Sequence, residues 1–155
     1  MKTYAIAGTG VRARGMFAVP LHRDFSHVAR LAGLYDPNLV RAQIVSKECG
    51  DVPVFDSFDN MLLQTRPDVV IVTTPDATHH EYIIKALTAG CDVISEKPLT
   101  TDMDKCREIL QAEADTGRRV TVTFNCRFMP YVVKIKELLS EGAVGNIQHV
   151  SLQWM

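Results

Sequence analysis

The sequence predicts an α/β fold built on a doubly wound parallel sheet, and three observations carry that prediction. The first is order: short apolar runs alternate with helical patterns along nearly all 155 residues, as βαβ units with right-handed crossovers do. The second is the run Asp68 to Thr73 (D-V-V-I-V-T), continuous and β-branched, as a strand buried on both faces requires. The third is a glycine-rich turn, Gly8-Thr9-Gly10-Val11-Arg12-Ala13, directly after the first apolar run.

Taken in order, Lys2 to Ala7 reads as a short buried strand ending at Gly8. A helix is expected from near Gly15 towards Phe25, with Pro20 marking a kink, a break or a delayed start. Val28 to Tyr35 is a second strand, and Asn38 to Cys49 a helix stopped by Gly50. Val52 to Phe55 is a short third strand; Asp56 or Ser57 can cap a helix running to Thr65. After the strand at Asp68, Thr78 to Ala89 is helical and stops at Gly90. Cys91 to Ser95 is the fifth strand, followed by a long amphipathic helix from Thr101 to Thr116 with Gly117 as its stop. Arg119 to Phe124 alternates like a strand, Pro130 to Ser140 is helical, and Ile147 to Met155 begins another strand.

Composition narrows the class of function. The apolar share of 46% is enough for a real core. Seventeen basic and 18 acidic side chains leave a net charge of −1, which argues against a general grip on nucleic acid or an anionic membrane. The four cysteines, Cys49, Cys91, Cys106 and Cys126, form no C-x-x-C pair and join no histidine cluster, so neither a metal nor a disulfide framework is expected. The apolar stretch Tyr4 to Ala7 is too short for a signal-peptide core, and no segment is long enough to span a membrane. A cytoplasmic protein with reduced thiols is the expectation.

Five constellations carry chemistry. In the glycine turn, Gly8 permits the tight turn and Gly10 lets backbone approach a pyrophosphate; Ala13 fills the third fingerprint position and Arg12 can add a charged contact. Asp36 ends the second strand 26 residues after Gly10, somewhat beyond the usual ~20. It can accept from the adenosine ribose hydroxyls and repel a 2′-phosphate, which favours NAD over NADP. Two qualifications stand beside it: Asp36-Pro37-Asn38 also reads as a plain turn and helix cap, and Arg41 can partly offset the repulsion. Thr73-Thr74-Pro75 through His79-His80 follows the fourth strand, where an open α/β sheet lines its ligand crevice. The adjacent histidines point about 100° apart on a helix and cannot share one metal. Glu96-Lys97-Pro98 places a lysine at the carboxyl end of a central strand, able to hydrogen-bond a substrate hydroxyl or shuttle a proton. Asn125-Cys126-Arg127-Phe128-Met129-Pro130 is a helix-entry loop that can also set polar groups near a nicotinamide.

Together these residues resemble the Gfo/Idh/MocA family of NAD(P)-dependent oxidoreductases. The matching pieces are Gly8-Thr9-Gly10, Asp36, Thr74-Pro75 with His79, Glu96-Lys97-Pro98, and Asn125-x-Arg127-Phe128-x-Pro130 followed by Gly142 and Gly145. The resemblance implies a Rossmann-type cofactor domain over 1–125, and over 126–155 a joining helix with the first strand of a second, substrate domain that this chain lacks. It implies that Gly8, Thr9, Gly10, Val11 and Arg12 line the pyrophosphate, and that Asp36 holds the ribose. Thr73, Thr74, Pro75, His79 and Glu96 are then expected along the dinucleotide path, with Asn125 and Arg127 bordering the nicotinamide. Lys97 becomes the active-site lysine, with a cis Lys97–Pro98 bond.

The function that follows is that of the NAD-binding domain of a dehydrogenase acting on a sugar- or cyclitol-like hydroxyl. The isolated chain is expected to be inactive, since the family's aspartate/histidine pair falls beyond residue 155. Two alternatives remain open: an NAD-dependent glycosidase-like relative, and a non-catalytic NAD-binding module. A small-molecule substrate is the expected partner of the longer protein. Pairing of two copies through the 147–155 strand is the expected route to an oligomer.

Overall fold

The computed structural model describes residues 1–151 and 153. Its backbone forms two compact units, Met1–Thr123 and Phe124–Met155. The first unit holds six strands, all parallel, in the order β3-β2-β1-β4-β5-β6. They are β1 (Lys2–Ala7), β2 (Ala29–Tyr35), β3 (Val54–Phe55), β4 (Val69–Val72), β5 (Asp92–Ser95) and β6 (Val120–Val122). The order reverses direction between β1 and β4, and that switch point opens a crevice at the carboxyl ends of the strands.

Strand periodicity divides the core into two layers. Ala5, Ala7, Val70, Val72 and Val93 face one side and pack on Met61, Ile83, Leu87 and Ile109. Their alternates Ile6, Leu34 and Ile71 face the other side and pack on Ala13, Ala18 and Val45. All four residues of β4 are buried, which is what its unbroken β-branched run predicts. Emptying such a site, as in Ile71→Ala, costs about 2–5 kcal/mol.

The helix caps follow the sequence. Asn38 accepts the amide of Arg41 and opens α3 (Leu39–Glu48). Ser57, rather than Asp56, accepts the amide of Asn60 and opens α4 (Phe58–Thr65). Asp102 accepts the amides of Asp104 and Lys105 and opens α6 (Met103–Thr116), which Gly117 ends at φ 67°. A short 3-10 turn, Asp76–Thr78, leads into α5 (His79–Thr88).

Two expectations are corrected. The first helix begins at Val11, not near Gly15, and passes through Pro20 without a break. It consists of α1 (Val11–Ala13), a π segment (Arg14–Ala18) and α2 (Val19–Arg23). In the wide turn the Val19 amide donates to the Arg14 carbonyl, five residues back. Widening the helix just before Pro20 accommodates a ring without an N–H, which would crowd the carbonyl of an ordinary preceding turn. The second correction concerns the strand expected from Ile147: residues 147–151 and 153 form none. A lone extended segment has no ladder to complete, and only pairing would hold it as a strand. Leu152, Trp154 and Met155, part of the same expectation, lie outside the described residues.

In the second unit a 3-10 turn, Asn125–Phe128, precedes α7 (Pro130–Ser140), which starts with proline at its first position. Tyr131, Val133, Ile135, Leu138 and Leu139 of this helix are exposed.

Gly8 is the position where backbone freedom decides the fold. Its φ is 87°, and a Cβ there would stand 2.8 Å from the backbone of Thr73 and Thr74. Gly8→Ala combines a left-handed backbone with a main-chain collision, so it should lower stability by at least ~2 kcal/mol. Urea unfolding followed by circular dichroism measures this; an unchanged midpoint would show that the loop gives way freely.

Candidate functional site

Three loops meet at the carboxyl edge of the sheet, after β1, β4 and β5. The loop after β1 is fixed from both flanks. The Gly8 amide donates to the Tyr35 carbonyl at 2.8 Å, and the Thr73 hydroxyl donates to the Gly8 carbonyl at 2.7 Å. Thr9 is buried, and both its amide and its hydroxyl donate to Asp36 Oδ2, at 2.8 and 3.0 Å. Asp36 Oδ1 accepts the Asn38 amide at 2.8 Å. Asp36 therefore closes the turn into α3 and anchors the glycine loop, and its side chain is only 6% exposed.

Gly10 differs from Gly8 in kind. Its φ is −65° and its ψ 179°, ordinary for any residue, and nothing lies within 4 Å of where a Cβ would stand. The fold does not require glycine here. Val11, the next residue, is 87% exposed. A group approaching this backbone from solvent meets the first amides of the helix with no side chain on Gly10 in its way.

Arg12 crosses the crevice. Its Nε donates to Glu96 Oε1 at 2.6 Å, joining the loop after β1 to the loop after β5 over the end of β4. Glu96 is buried, and its Oε2 accepts the Lys97 amide at 3.3 Å. The Lys97–Pro98 peptide bond is cis, as the resemblance implies, and the Lys97 side chain is exposed.

His79 does not line the crevice. Its ring is fully buried, with Nδ1 2.8 Å from the Pro98 carbonyl and Nε2 2.8 Å from the Thr74 carbonyl. It spans the loops after β4 and β5 from beneath and offers no surface to a ligand. The Thr78 hydroxyl donates to the Pro75 carbonyl at 2.7 Å, holding the same loop. His80 turns away and pairs with Glu108 at 2.7 Å. Asn125 and Arg127 belong to the second unit, where the Arg127 guanidinium stands 5.3 Å over the Phe124 ring.

Several features escaped the sequence reading. Tyr35, Phe58 and Tyr82 form an aromatic cluster with ring centroids 5.0 to 5.9 Å apart. Burial pushes the Tyr82 phenol well above its ordinary range, helped by its hydrogen bond with Tyr35 and by the charges of Glu81 and Asp36. A cavity of about 320 Å³ lies between the glycine loop and α3, lined in part by Arg14, Arg41 and Ile44. The i, i+3 spacing of Arg41 and Ile44 on one helix face was the available signal. A larger cavity, about 900 Å³, opens at the opposite edge, near the starts of β1, β4 and β5, and contains none of the glycine-loop residues. Among the described residues no group of His, Cys, Asp or Glu could hold a metal, and no helix is long and apolar enough to cross a membrane.

Comparison with known proteins gives the chain's family and fold. The profile of the GFO_IDH_MocA oxidoreductase family, NAD-binding Rossmann fold, matches residues 2–124. The chain belongs to that family, one of NAD-dependent oxidoreductases, and represents its NAD-binding domain. It is 40% identical to the protein YteT of Bacillus subtilis (strain 168) over 159 residues, covering 99% of this chain and 37% of that one. It is 35% identical to an inositol 2-dehydrogenase of Rubrobacter xylanophilus, covering 90% of this chain and 40% of the relative. Among solved structures it resembles a scyllo-inositol dehydrogenase from Lactobacillus casei with bound NAD(H) and scyllo-inositol. That match has a TM-score of 0.85 at 26% identity and covers 94% of this chain and 43% of that one. The chain thus spans about two-fifths of the length of these relatives.

The His79 bridge yields a stability prediction. His79→Phe keeps an aromatic ring but removes the N–H that a neutral imidazole donates to one of these two carbonyls, and should cost about 1–3 kcal/mol in urea unfolding. His80→Ala removes only a surface pair and should cost less than about 1 kcal/mol. Equal losses for the two would contradict the bridge.

Proposed function

We infer that this chain is the cofactor-holding part of a longer dehydrogenase that oxidises a hydroxyl of a cyclitol or sugar, with NAD lying across the β1/β4 switch point. The observation that carries the reading is Gly10. Its conformation and its open surroundings leave no structural need for glycine, so the missing side chain serves an approaching group. A pyrophosphate fits: it is bulky, anionic and recognised by backbone amides at a helix start.

On this reading Gly8, Thr9, Gly10, Val11 and Arg12 receive the pyrophosphate, and Asp36 offers its remaining acceptor capacity to the adenosine ribose. Thr73, Thr74 and Pro75 border the dinucleotide. Arg12 and Glu96 are already paired, so a bound phosphate would compete with Glu96 for the guanidinium. NAD supplies the hydride acceptor or donor. Lys97, exposed beyond the buried Glu96, hydrogen-bonds the substrate oxygen and steadies charge developing there. Asn125 and Arg127 supply polar groups at the nicotinamide end, and 126–155 leads into the substrate domain. The inositol substrate class is suggested by the dehydrogenase relatives, and turnover is assigned to the longer protein because relatives are more than twice this length.

Gly10→Val tests the reading. Its backbone suits valine, so the circular dichroism spectrum should stay native while affinity for NAD, measured by calorimetric titration, falls at least roughly tenfold. Unchanged affinity with an intact fold would mean that the loop does not receive the pyrophosphate.

A further inference from the structure

We propose that the cavity of about 900 Å³ at the opposite edge of the sheet is a second small-molecule site, one that takes an organic anion with an apolar body. It lies between α4 and α5, near the starts of β1, β4 and β5, and shares no residue with the glycine loop. A cavity of this size lies in the range that holds small organic ligands. The inference goes beyond the dinucleotide reading and does not rest on it.

Its lining combines apolar surface with charge. Leu62 and Pro67 are buried, Ile84 is half-buried, and Leu63 is 69% exposed. An exposed leucine beside a buried one leaves apolar surface for a ligand body to cover. The charged lining sets Lys2, Arg66, Lys85 and Arg118 against Asp59, Asp68 and Asp92. The three carboxylates are already engaged. Asp59 pairs with Lys85 at 3.0 Å, Asp68 Oδ2 accepts the amide and the hydroxyl of Thr3, and Asp92 Oδ1 accepts the Arg119 amide at 3.2 Å. Arg66 and Arg118, in contrast, have no ion pair among the described residues.

The two guanidiniums are placed to share one anionic group. Arg66 precedes β4 and Arg118 precedes β6, and β5 lies between those strands. Neighbouring strands lie about 4.8 Å apart, so the two roots stand roughly 10 Å apart, a gap that two arginine side chains can close on a single carboxylate, sulfonate or phosphate. Arg66 also holds a left-handed backbone, φ 41°, directly before Pro67. Glycine or asparagine takes that conformation at a helix end more easily, and a residue before proline favours extended backbone. An arginine nonetheless stands there and lines the cavity. The end of α5 does not offer open carbonyls to a cation instead: those of Lys85, Ala86 and Leu87 accept the amides of Ala89, Cys91 and Gly90.

Calorimetric titration of the purified chain with anilinonaphthalene sulfonate, an aromatic body bearing one anionic group, tests this. Its tightest binding event should weaken as salt is raised. Phenylnaphthylamine, the same body without the sulfonate, should bind at least about fivefold more weakly. Arg66→Gly, which suits the left-handed backbone, and Arg118→Ala should each weaken the sulfonate at least about fivefold and the neutral probe less than about twofold, with unchanged circular dichroism. Thr88→Trp, which fills the cavity from the exposed end of α5, should weaken both probes at least about tenfold. Saturating NAD should displace neither. Unchanged sulfonate affinity in either arginine variant would overturn the site, as would full affinity in Thr88→Trp or no binding to the wild type. Displacement by NAD would also overturn it, since the probe would then lie in the crevice at the other edge. None of these results bears on the Gly10→Val test of the dinucleotide reading, so the two can fail separately.

Discussion

The contact between Gly8 and the Thr73–Thr74 backbone is the constraint on which the candidate site depends. Two chain segments that leave adjacent parallel strands approach so closely that a single methyl group would stand 2.8 Å from main-chain atoms. This proximity turns two separate loops into one surface. It also makes the Thr73 hydroxyl available to the Gly8 carbonyl and leaves the next residues, Thr9 to Arg12, facing the switch point. A larger residue at position 8 would part the loops, and the groups assembled around them would lose their common frame.

Three polar ties extend that frame sideways. Asp36 holds Thr9, Glu96 holds Arg12 and the Lys97 amide, and His79 spans the carbonyls of Thr74 and Pro98. Apart from the local Glu96–Lys97 contact, each tie joins loops that follow different strands, and Asp36, Glu96 and His79 are buried, while the Arg12 side chain is 37% exposed. Shielded hydrogen bonds and ion pairs carry positional information that exposed ones lack, because breaking one leaves a buried polar group unpaired. The crevice edge is therefore held by directional contacts, while the sheet beneath it is held by apolar packing on both faces.

Much of this was legible in the sequence, for reasons that differ by element. The β-branched run of β4 left no other home than a doubly covered central strand. Asn38 and Ser57 announced helix starts through side chains suited to free amides, whereas Asp102, expected inside a helix from Thr101, caps one that begins at Met103. What stayed hidden depended on distance along the chain or on local geometry. Arg12 and Glu96 are 84 residues apart, and no periodicity connects them. His79 read as a site residue because it follows a site loop, yet folding turned its ring inward. Pro20 argued for a kink, a break or a delayed helix start, and the helix instead begins at Val11 and runs on through Pro20 by way of a π segment. The strand expected from Ile147 failed for a related reason: alternation along one segment cannot supply the partner that a strand requires.

The central claim is that a dinucleotide lies across the carboxyl edge of the sheet, against the glycine loop. Amide hydrogen exchange with and without NAD tests it most directly. The account predicts slowed exchange in residues 9–12, 73–75 and 96–99, with no change near Lys2, Arg66 and Arg118 at the opposite edge. Slowed exchange around those three residues, with the glycine loop unaffected, would contradict it.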